Sequence, residues 1–388
     1  MNSNFKKLGL IAFSLLVIGG ISARMAVPAM LEKSFNPRVE VDHSTITNEA
    51  KALHATLTVM DWHADSLLWS RNLLEQSSYG KVDLPRLQKG NFSLQMLTTV
   101  TKSPSGQNYI ENDAGSDTIT KLAIVQGWPI KTWNSLLERA LYQSQKLEGF
   151  VERSEGNLTF IKSAKDLTTH KSSPKQSVGV LLGTEGAHPL EGTLSNIDTM
   201  FLAGFRMFGL THFFDNELGG SLHGVSQTGL TDFGRAAIKR MDELEIIIDL
   251  AHASEKMAWE VLEQSHRPQV VSHTGLKGAC NTPRNYPDKL MQAIANKGGL
   301  IAIGFWEAAT CDDSPLGIAK TIAYGINLVG AEHIALGSDW DGAVKSIAAD
   351  DIVAITDALL KIGVAESDIR KVMGENSINF LAQWLPAE

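Results

Sequence analysis

The sequence predicts an α/β fold of the (β/α)8, TIM-barrel type. Three observations predict it. Eight short apolar runs alternate with amphipathic stretches along most of the chain. Several of those runs are near-continuous in Ile, Val and Leu, as strands buried on both faces of a parallel sheet require. Ionisable residues recur where the runs give out, as they do at the C-terminal face of such barrels.

Taken in order, the chain opens with Lys6 and Lys7, followed by a 16-residue apolar or small-residue run, Leu8–Ala23. A basic start before an apolar run is the pattern of an export signal, and the run is short of the roughly 20 residues that span a bilayer comfortably. Small residues follow at Ser22-Ala23 and at Val27-Pro28-Ala29. Residues 1–29 thus read as a cleaved signal peptide or an N-terminal membrane anchor. In either case the two lysines stay cytoplasmic and the remainder is exported, to be periplasmic or held at the outer face of the cytoplasmic membrane. Residues 30–50 are polar and mixed and read as a linker entering a first helix. Residues 51–388 form the barrel domain, a length that suits one such domain.

The strand runs are Thr58–Asp65, Phe92–Val100, Val178–Glu185, Phe205–His212, Glu245–His252, Gln269–His273, Gly299–Phe305 and His333–Asp339. Between them lie helical patterns. Thr231–Leu244 opens on a capping Thr, Ser254–Gln264 on a capping Ser with Glu255 in its first turn. Asp288–Asn296, Pro315–Leu328, Asp350–Ile362 and Ser367–Trp384 continue the series. Residues 101–176 are long for one crossover and are expected to hold one helix, about 118–150, plus a surface excursion. A doubly wound open sheet is the rival fold, weakened because no G-x-G-x-x-G follows the first run. The net charge of −8 comes with no basic stripe, which argues against nucleic acid as a partner. The two cysteines, Cys280 and Cys311, are too few for a disulfide scaffold; they read as buried thiols, with pairing left open for an oxidising compartment.

The run ends supply His63 and Asp65, Glu185, His212, Asp249 and His252, His273, and Asp339 with Asp341. His63 and Asp65 are two apart and so share a face of a strand. Imidazole with carboxylate suits zinc, ahead of manganese or cobalt. His63, Asp65, Glu185, His252 and His273 make five candidate ligands, more than the three usual at one catalytic zinc. Two ions sharing a carboxylate, roughly 3.5–4 Å apart with a hydroxide between them, use all five. The other histidines (His43, His54, His170, His188, His223, His266 and His333) are assigned to surface or ordinary core positions. Trp128, Trp133, Trp259 and Trp384 read as helix packing, whereas for Trp62, Trp306 and Trp340 packing and pocket lining both stay open.

At these residues the chain resembles the renal (membrane) dipeptidase family of metallopeptidases, from about Asp61 to the C-terminal helix. The resemblance rests on the His-x-Asp at 63–65, Gly183-Thr184-Glu185-Gly186 and Leu210-Thr211-His212. It continues in residues 229–234 (GLTDFG), Ile248–His252, Ser272-His273, Pro283-Arg284-Asn285 with Asp288, and Gly337–Gly342. It implies a metal-dependent dipeptidase that attacks the peptide bond with a metal-bridging hydroxide. His63, Asp65 and Glu185 would hold one ion, and Glu185, His252 and His273 the other, most simply both Zn2+. His212 would face the substrate and the developing oxyanion. Arg284 would pair with the dipeptide's free carboxylate, an ion pair with Asp288 being the alternative. Asp339 would serve as acid and base beside the substrate amine. Tolerance of a D-residue at the second position and a tendency to dimerise are further implications. Trp62 and Ala64 stand where the family usually has Gly and Asn, and Ala251 where it has Ser; none is a ligand, and fine specificity is what these changes touch. Two other functions compete. Another amidohydrolase-like barrel, a deaminase or lactonase, typically opens with His-x-His and bridges its ions with a modified lysine. An exported binding protein on a dead barrel would usually have lost a ligand.

Overall fold

Eight parallel strands close on themselves in a computed structural model that describes residues 26–173 and 177–388. With one strand added outside the ring, the described strands are β1 (Val59–Asp61), β2 (Phe92–Val100), β3 (Leu158–Phe160), β4 (Val178–Glu185), β5 (Phe205–Gly209), β6 (Ile247–Asp249), β7 (Val270–Thr274), β8 (Leu300–Ile303) and β9 (Ile334–Leu336). Around the barrel β1 pairs with β2, β2 with β4, and the remaining strands follow in sequence until β9 returns to β1. Among the described residues the added strand β3 pairs only with the start of β4, Leu158 opposite Val178. The expected (β/α)8 barrel is the fold observed, with helices packed around it. The apolar run Leu8–Ala23 lies outside the described residues; among those described, no helix is long and apolar enough to cross a membrane.

The barrel interior is filled by inward residues of alternating strand positions, among them Met60, Leu94, Met96, Leu181, Met207, Ile247 and Leu300. The C-terminal helix Asn376–Trp384 plugs one end, bringing Ile378, Phe380 and Leu381 into the same cluster. Trp62 belongs to this floor: its ring meets Phe380 edge-on and its Nε1 donates to Ser377 Oγ. Trp340 is likewise packing, wedged against Phe92 and Phe305. A second, larger apolar layer joins the outer strand faces to the helices. The caps expected from sequence are present, Thr231 accepting from Gly234 N and Ser254 from Met257 N.

Several differences have physical causes. The expected helix over 118–150 is two, Thr118–Val125 and Leu136–Arg153. Gly127 takes a positive φ of 69° between them and Pro129 follows, a pair that ends one helix and bars its continuation. The C-terminal helix bends at Lys371–Glu375, where Gly374 lies so close to the backbone of Thr58 that a Cβ would stand 2.0 Å from its carbonyl oxygen. A helix over 26–35 runs from the stretch expected to be signal or anchor into the one expected to be linker, and the first helix that the linker was expected to enter is Asn48–His54. The reading of Cys280 and Cys311 as separate thiols is overturned: they form a disulfide, with Cα atoms 5.5 Å apart. The two loops that carry them follow the neighbouring strands β7 and β8, an adjacency that linear spacing does not display.

Candidate metal centre

Glu185 is the last residue of β4, opposite Val100 of β2. Its Oε1 is ringed by four imidazoles: His212 Nε2 and His252 Nε2 at 3.3 Å, His273 Nε2 at 3.5 Å and His63 Nε2 at 3.6 Å. Asp65 Oδ2 stands 3.5 Å from His63 Nε2, and its Oδ1 accepts from Thr98 Oγ1. All six side chains are buried. The strands stop short of several of these residues. Beyond β1 the backbone still pairs with β9 and the loop after it, Trp62 N donating to Leu336 O and Asp65 N to Trp340 O, and His63 and Asp65 keep a common inward face. His252 and Asp339 instead lie in left-handed backbone, φ 63° and 58°, which swings each side chain inward just past its strand. Gly342 leaves the room this needs, since a Cβ there would come within 2.1 Å of Asp339 Oδ1 and 2.9 Å of Asp65 Oδ2.

The centre sits on a second layer of polar groups. Ser272 Oγ lies 2.6 Å from Asp249 Oδ2, 2.9 Å from His273 Nδ1 and 3.1 Å from His63 Nδ1. A hydroxyl has one hydrogen and two lone pairs. Given to the Asp249 carboxylate, that hydrogen leaves both lone pairs to accept Nδ1–H from the two rings. His63 and His273 are thereby held as Nδ1–H tautomers with Nε2 lone pairs facing Glu185, the arrangement a metal ligand needs. Asp249 is anchored in turn by Ala251 N and Ser272 N. Behind β1, Asp61 accepts from Ser338 N and Oγ, Gln95 Nε2 and His63 N, and burial pushes its carboxyl up to about 6.

These residues fit divalent cations. His63 Nε2 and Asp65 Oδ2 are buried without a hydrogen-bond partner among the described residues. His252 Nε2 and His273 Nε2 approach to 2.9 Å. Burial holds both of those imidazoles well below the ordinary histidine range, so they are neutral donors of a lone pair. Burial also pushes the Asp339 carboxyl well above its usual range; His63 opposes this, and the charges of Glu185 and Asp65 add to it. Ligand atoms of His63, Glu185, His273 and Asp339 lie within 4.8 Å of one another, as do those of Glu185, His212 and His252. All five expected ligands are thus brought together. The close groups divide them differently from the partition the resemblance implies, with Asp339 and His212 standing within ligand reach.

Arg284, in the loop after β7, is fully buried. Its Nη2 donates to His273 O at 2.7 Å, while Nε and Nη1 have no partner among the described residues. The alternative ion pair with Asp288 is not formed: that carboxylate takes the Tyr324 hydroxyl at 2.5 Å and Gly278 N. Asn285 pins the loop through Gly275 N, Cys280 O and Ala309 O. Beside the guanidinium, 5.4 Å from its Cζ, lies the ring of Trp306, whose Nε1 donates to the Tyr109 hydroxyl. Arg284, Tyr109, His212, His252, Asp339 and Glu185 line one small polar pocket. Tyr109 comes from the excursion after β2 and has no signal in the sequence. His223, assigned to ordinary core, is buried 5.4 Å from His252, and burial holds it down to about 3.

A closed parallel barrel with buried histidines and carboxylates converging at one end defines a metal-dependent barrel hydrolase. The family model for the membrane dipeptidases, peptidase family M19, matches residues 47–384, and the chain belongs to that family. It is 26% identical over 351 residues to "Dipeptidase aclJ" of Aspergillus oryzae, covering 83% of this chain and 76% of that protein. It is 31% identical to an "Uncharacterized protein in pqqA 5'region" of Klebsiella pneumoniae, over 50% of this chain and 76% of that one. In fold it is similar to a metallopeptidase of Rhodobacter sphaeroides solved with a phosphinate mimic of L-Ala-D-Ala, with a TM-score of 0.68, 20% identity, and coverage of 85% of this chain and 99% of that one. The protein is a metallopeptidase of the dipeptidase type, and the deaminase, lactonase and binding-protein alternatives are set aside.

Proposed function

We propose that this enzyme hydrolyses dipeptides at a two-ion centre held by His63, Asp65, Glu185, His252 and His273, with Glu185 shared between the ions. The imidazole and carboxylate donors suit Zn2+. When bound, the ions supply an activated water at neutral pH and polarise the scissile carbonyl. The observation that carries the substrate class is Arg284, a buried guanidinium with two unpartnered nitrogens beside the centre. Its planar fork matches a free carboxylate, which a dipeptide presents one residue past the scissile bond. His212 donates from Nε2 to the oxygen that gains charge as water adds to the carbonyl carbon. Asp339 takes a proton from that water and returns it to the leaving nitrogen as the C–N bond breaks.

Acceptance of a D-residue at the second position belongs to this reading, supported by the family and by the D-residue in the ligand of the Rhodobacter sphaeroides relative. Export is supported by Lys6-Lys7 ahead of the apolar run and by the Cys280–Cys311 disulfide, since such bonds persist in oxidising compartments. Membrane attachment through residues 1–29 and a homodimer follow from the apolar run and the resemblance. A panel of L-L and L-D dipeptides with their C-terminal amides, run on metal-loaded protein, tests the reading. Turnover of free dipeptides and rejection of the amides is expected; equal turnover of both would refute the substrate class.

A further inference from the structure

The chain before residue 47 lies outside the stretch matched by the family model, yet part of it stands at the mouth of the centre. The helix over 26–35 puts Leu31 and Phe35 into the wall of a cleft of about 730 Å3. Trp69, Ile119 and Leu122 line the same cleft, and it opens on Asp65, Glu185 and His212. The Phe35 and Trp69 rings are 6.3 Å apart. This strap is fastened by groups that a loosely draped segment would not bury. Glu32, 1% exposed, ion-pairs with Arg71, and Arg71 with Asp341. Asn36 Oδ1 accepts from Ala343 N at 3.0 Å. Gly342 and Ala343 line both this cleft and the polar pocket that holds Arg284.

We propose that the strap completes a substrate subsite: the cleft receives the side chain of the substrate's N-terminal residue and selects dipeptides in which that side chain is large and apolar. The inference rests on the dipeptidase reading, with Arg284 marking the carboxylate end. Arg284 binds His273 O and shares the polar pocket with His252, whereas the cleft touches Asp65 and none of these three. A dipeptide with its carboxylate at the guanidinium therefore runs its first residue across Glu185 toward the cleft. The polar pocket, at about 40 Å3, has no room for a large side chain. The cleft has that room, and its far wall is aliphatic and aromatic, with the one lysine, Lys121, exposed at its edge. Desolvating an apolar side chain there is favourable, whereas glycine gains nothing.

The test compares Phe-Ala with Gly-Ala. Phe35 is 52% exposed, so Phe35→Ala removes part of the wall and leaves the core intact. Leu122→Asp puts a carboxylate into the same wall from a different element. Wild-type kcat/KM is expected to favour Phe-Ala by at least ~10-fold, the scale on which apolar pockets discriminate. Each substitution is expected to lower kcat/KM for Phe-Ala several-fold more than for Gly-Ala. Calorimetric Kd values for phosphinate mimics of the two dipeptides should show the same narrowing. A structural effect alone lowers both substrates together; an unchanged ratio in both variants overturns the proposal. If wild type hydrolyses neither dipeptide, the dipeptidase reading fails, and the Kd ratio of the mimics decides the subsite by itself, equal affinities rejecting it.

Discussion

Ser272 Oγ and Asp249 Oδ2 lie 2.6 Å apart, and through that one hydroxyl a buried carboxylate sets the tautomers of two histidines of the metal centre. The network makes Ser272 a positioning residue. Ser272→Ala removes both acceptor lone pairs and leaves the His63 and His273 rings free to turn or to change tautomer. Metal affinity is expected to fall ~10- to 100-fold, the usual cost of losing such support. Competition against a chromogenic chelator measures it, with circular dichroism to show that the fold is kept. An affinity equal to wild type would remove Ser272 from this role.

Glu185 is the hub of the centre, and Glu185→Gln keeps its shape while removing its charge. The variant is expected to bind fewer than the two ions per chain foreseen for wild type and to lose at least ~100-fold in kcat, as when one preorganised electrostatic element is deleted. Elemental analysis and turnover are read on the same preparation. A fully active wild type with a single ion, or a metal-replete variant with near-normal turnover, contradicts the shared-carboxylate assignment.

The Cys280–Cys311 bond closes a loop spanning 31 residues that contains Arg284. By loop entropy such a closure is worth roughly 3–4 kcal/mol. Cys280→Ser with Cys311→Ser should therefore lower the unfolding free energy by up to that amount. It should also raise KM more than it lowers kcat, because the carboxylate-binding loop is what loses its tie. Denaturant melts and steady-state kinetics on both forms measure the two effects. Stability unchanged on reduction would show that Asn285 and Tyr286, which pin the same loop by hydrogen bonds, suffice.

The ligand set was legible because each member lies where an apolar run gives out, and the C-terminal ends of parallel strands meet at one face of a barrel. His63, Glu185, His252 and His273 could be read that way without a view of the fold. The strand ends were read too long for the same reason: His212 and His252 continue apolar runs yet lie beyond the ladders, which stop at Gly209 and Asp249. Tyr109 was invisible, since a surface excursion has no period and only the fold brings it to Trp306. The strap was invisible because Leu31, Glu32 and Phe35 sit in a polar stretch whose partners, Trp69, Arg71 and Asp341, are distant in sequence. Gly127 and Pro129 did carry the signal that divides the long helix, masked by helical periodicity on either side.

Arg284 decides whether the enzyme reads a free carboxylate. Two of its nitrogens are buried and unpartnered, and the third is committed to His273 O. Leaving a buried donor unsatisfied costs about 1–3 kcal/mol, more for a charged group, so a bound carboxylate gains by supplying the missing acceptors. A C-terminal amide lacks the charge and brings two N–H groups toward a cation. Arg284→Ala is expected to lower kcat/KM for a dipeptide by ~10- to 1,000-fold, about 1.4–4 kcal/mol of transition-state stabilisation. It should lower the value for the corresponding amide far less, so that the acid-to-amide ratio collapses. Asp288 is satisfied by Tyr324 and Gly278, and losing the guanidinium should leave the loop in place. The measurement is kcat/KM for one dipeptide and its amide, on wild type and variant, with metal content checked. A ratio that survives in a folded, metal-loaded variant means that Arg284 supports the loop backbone through His273 O and does not recognise the substrate.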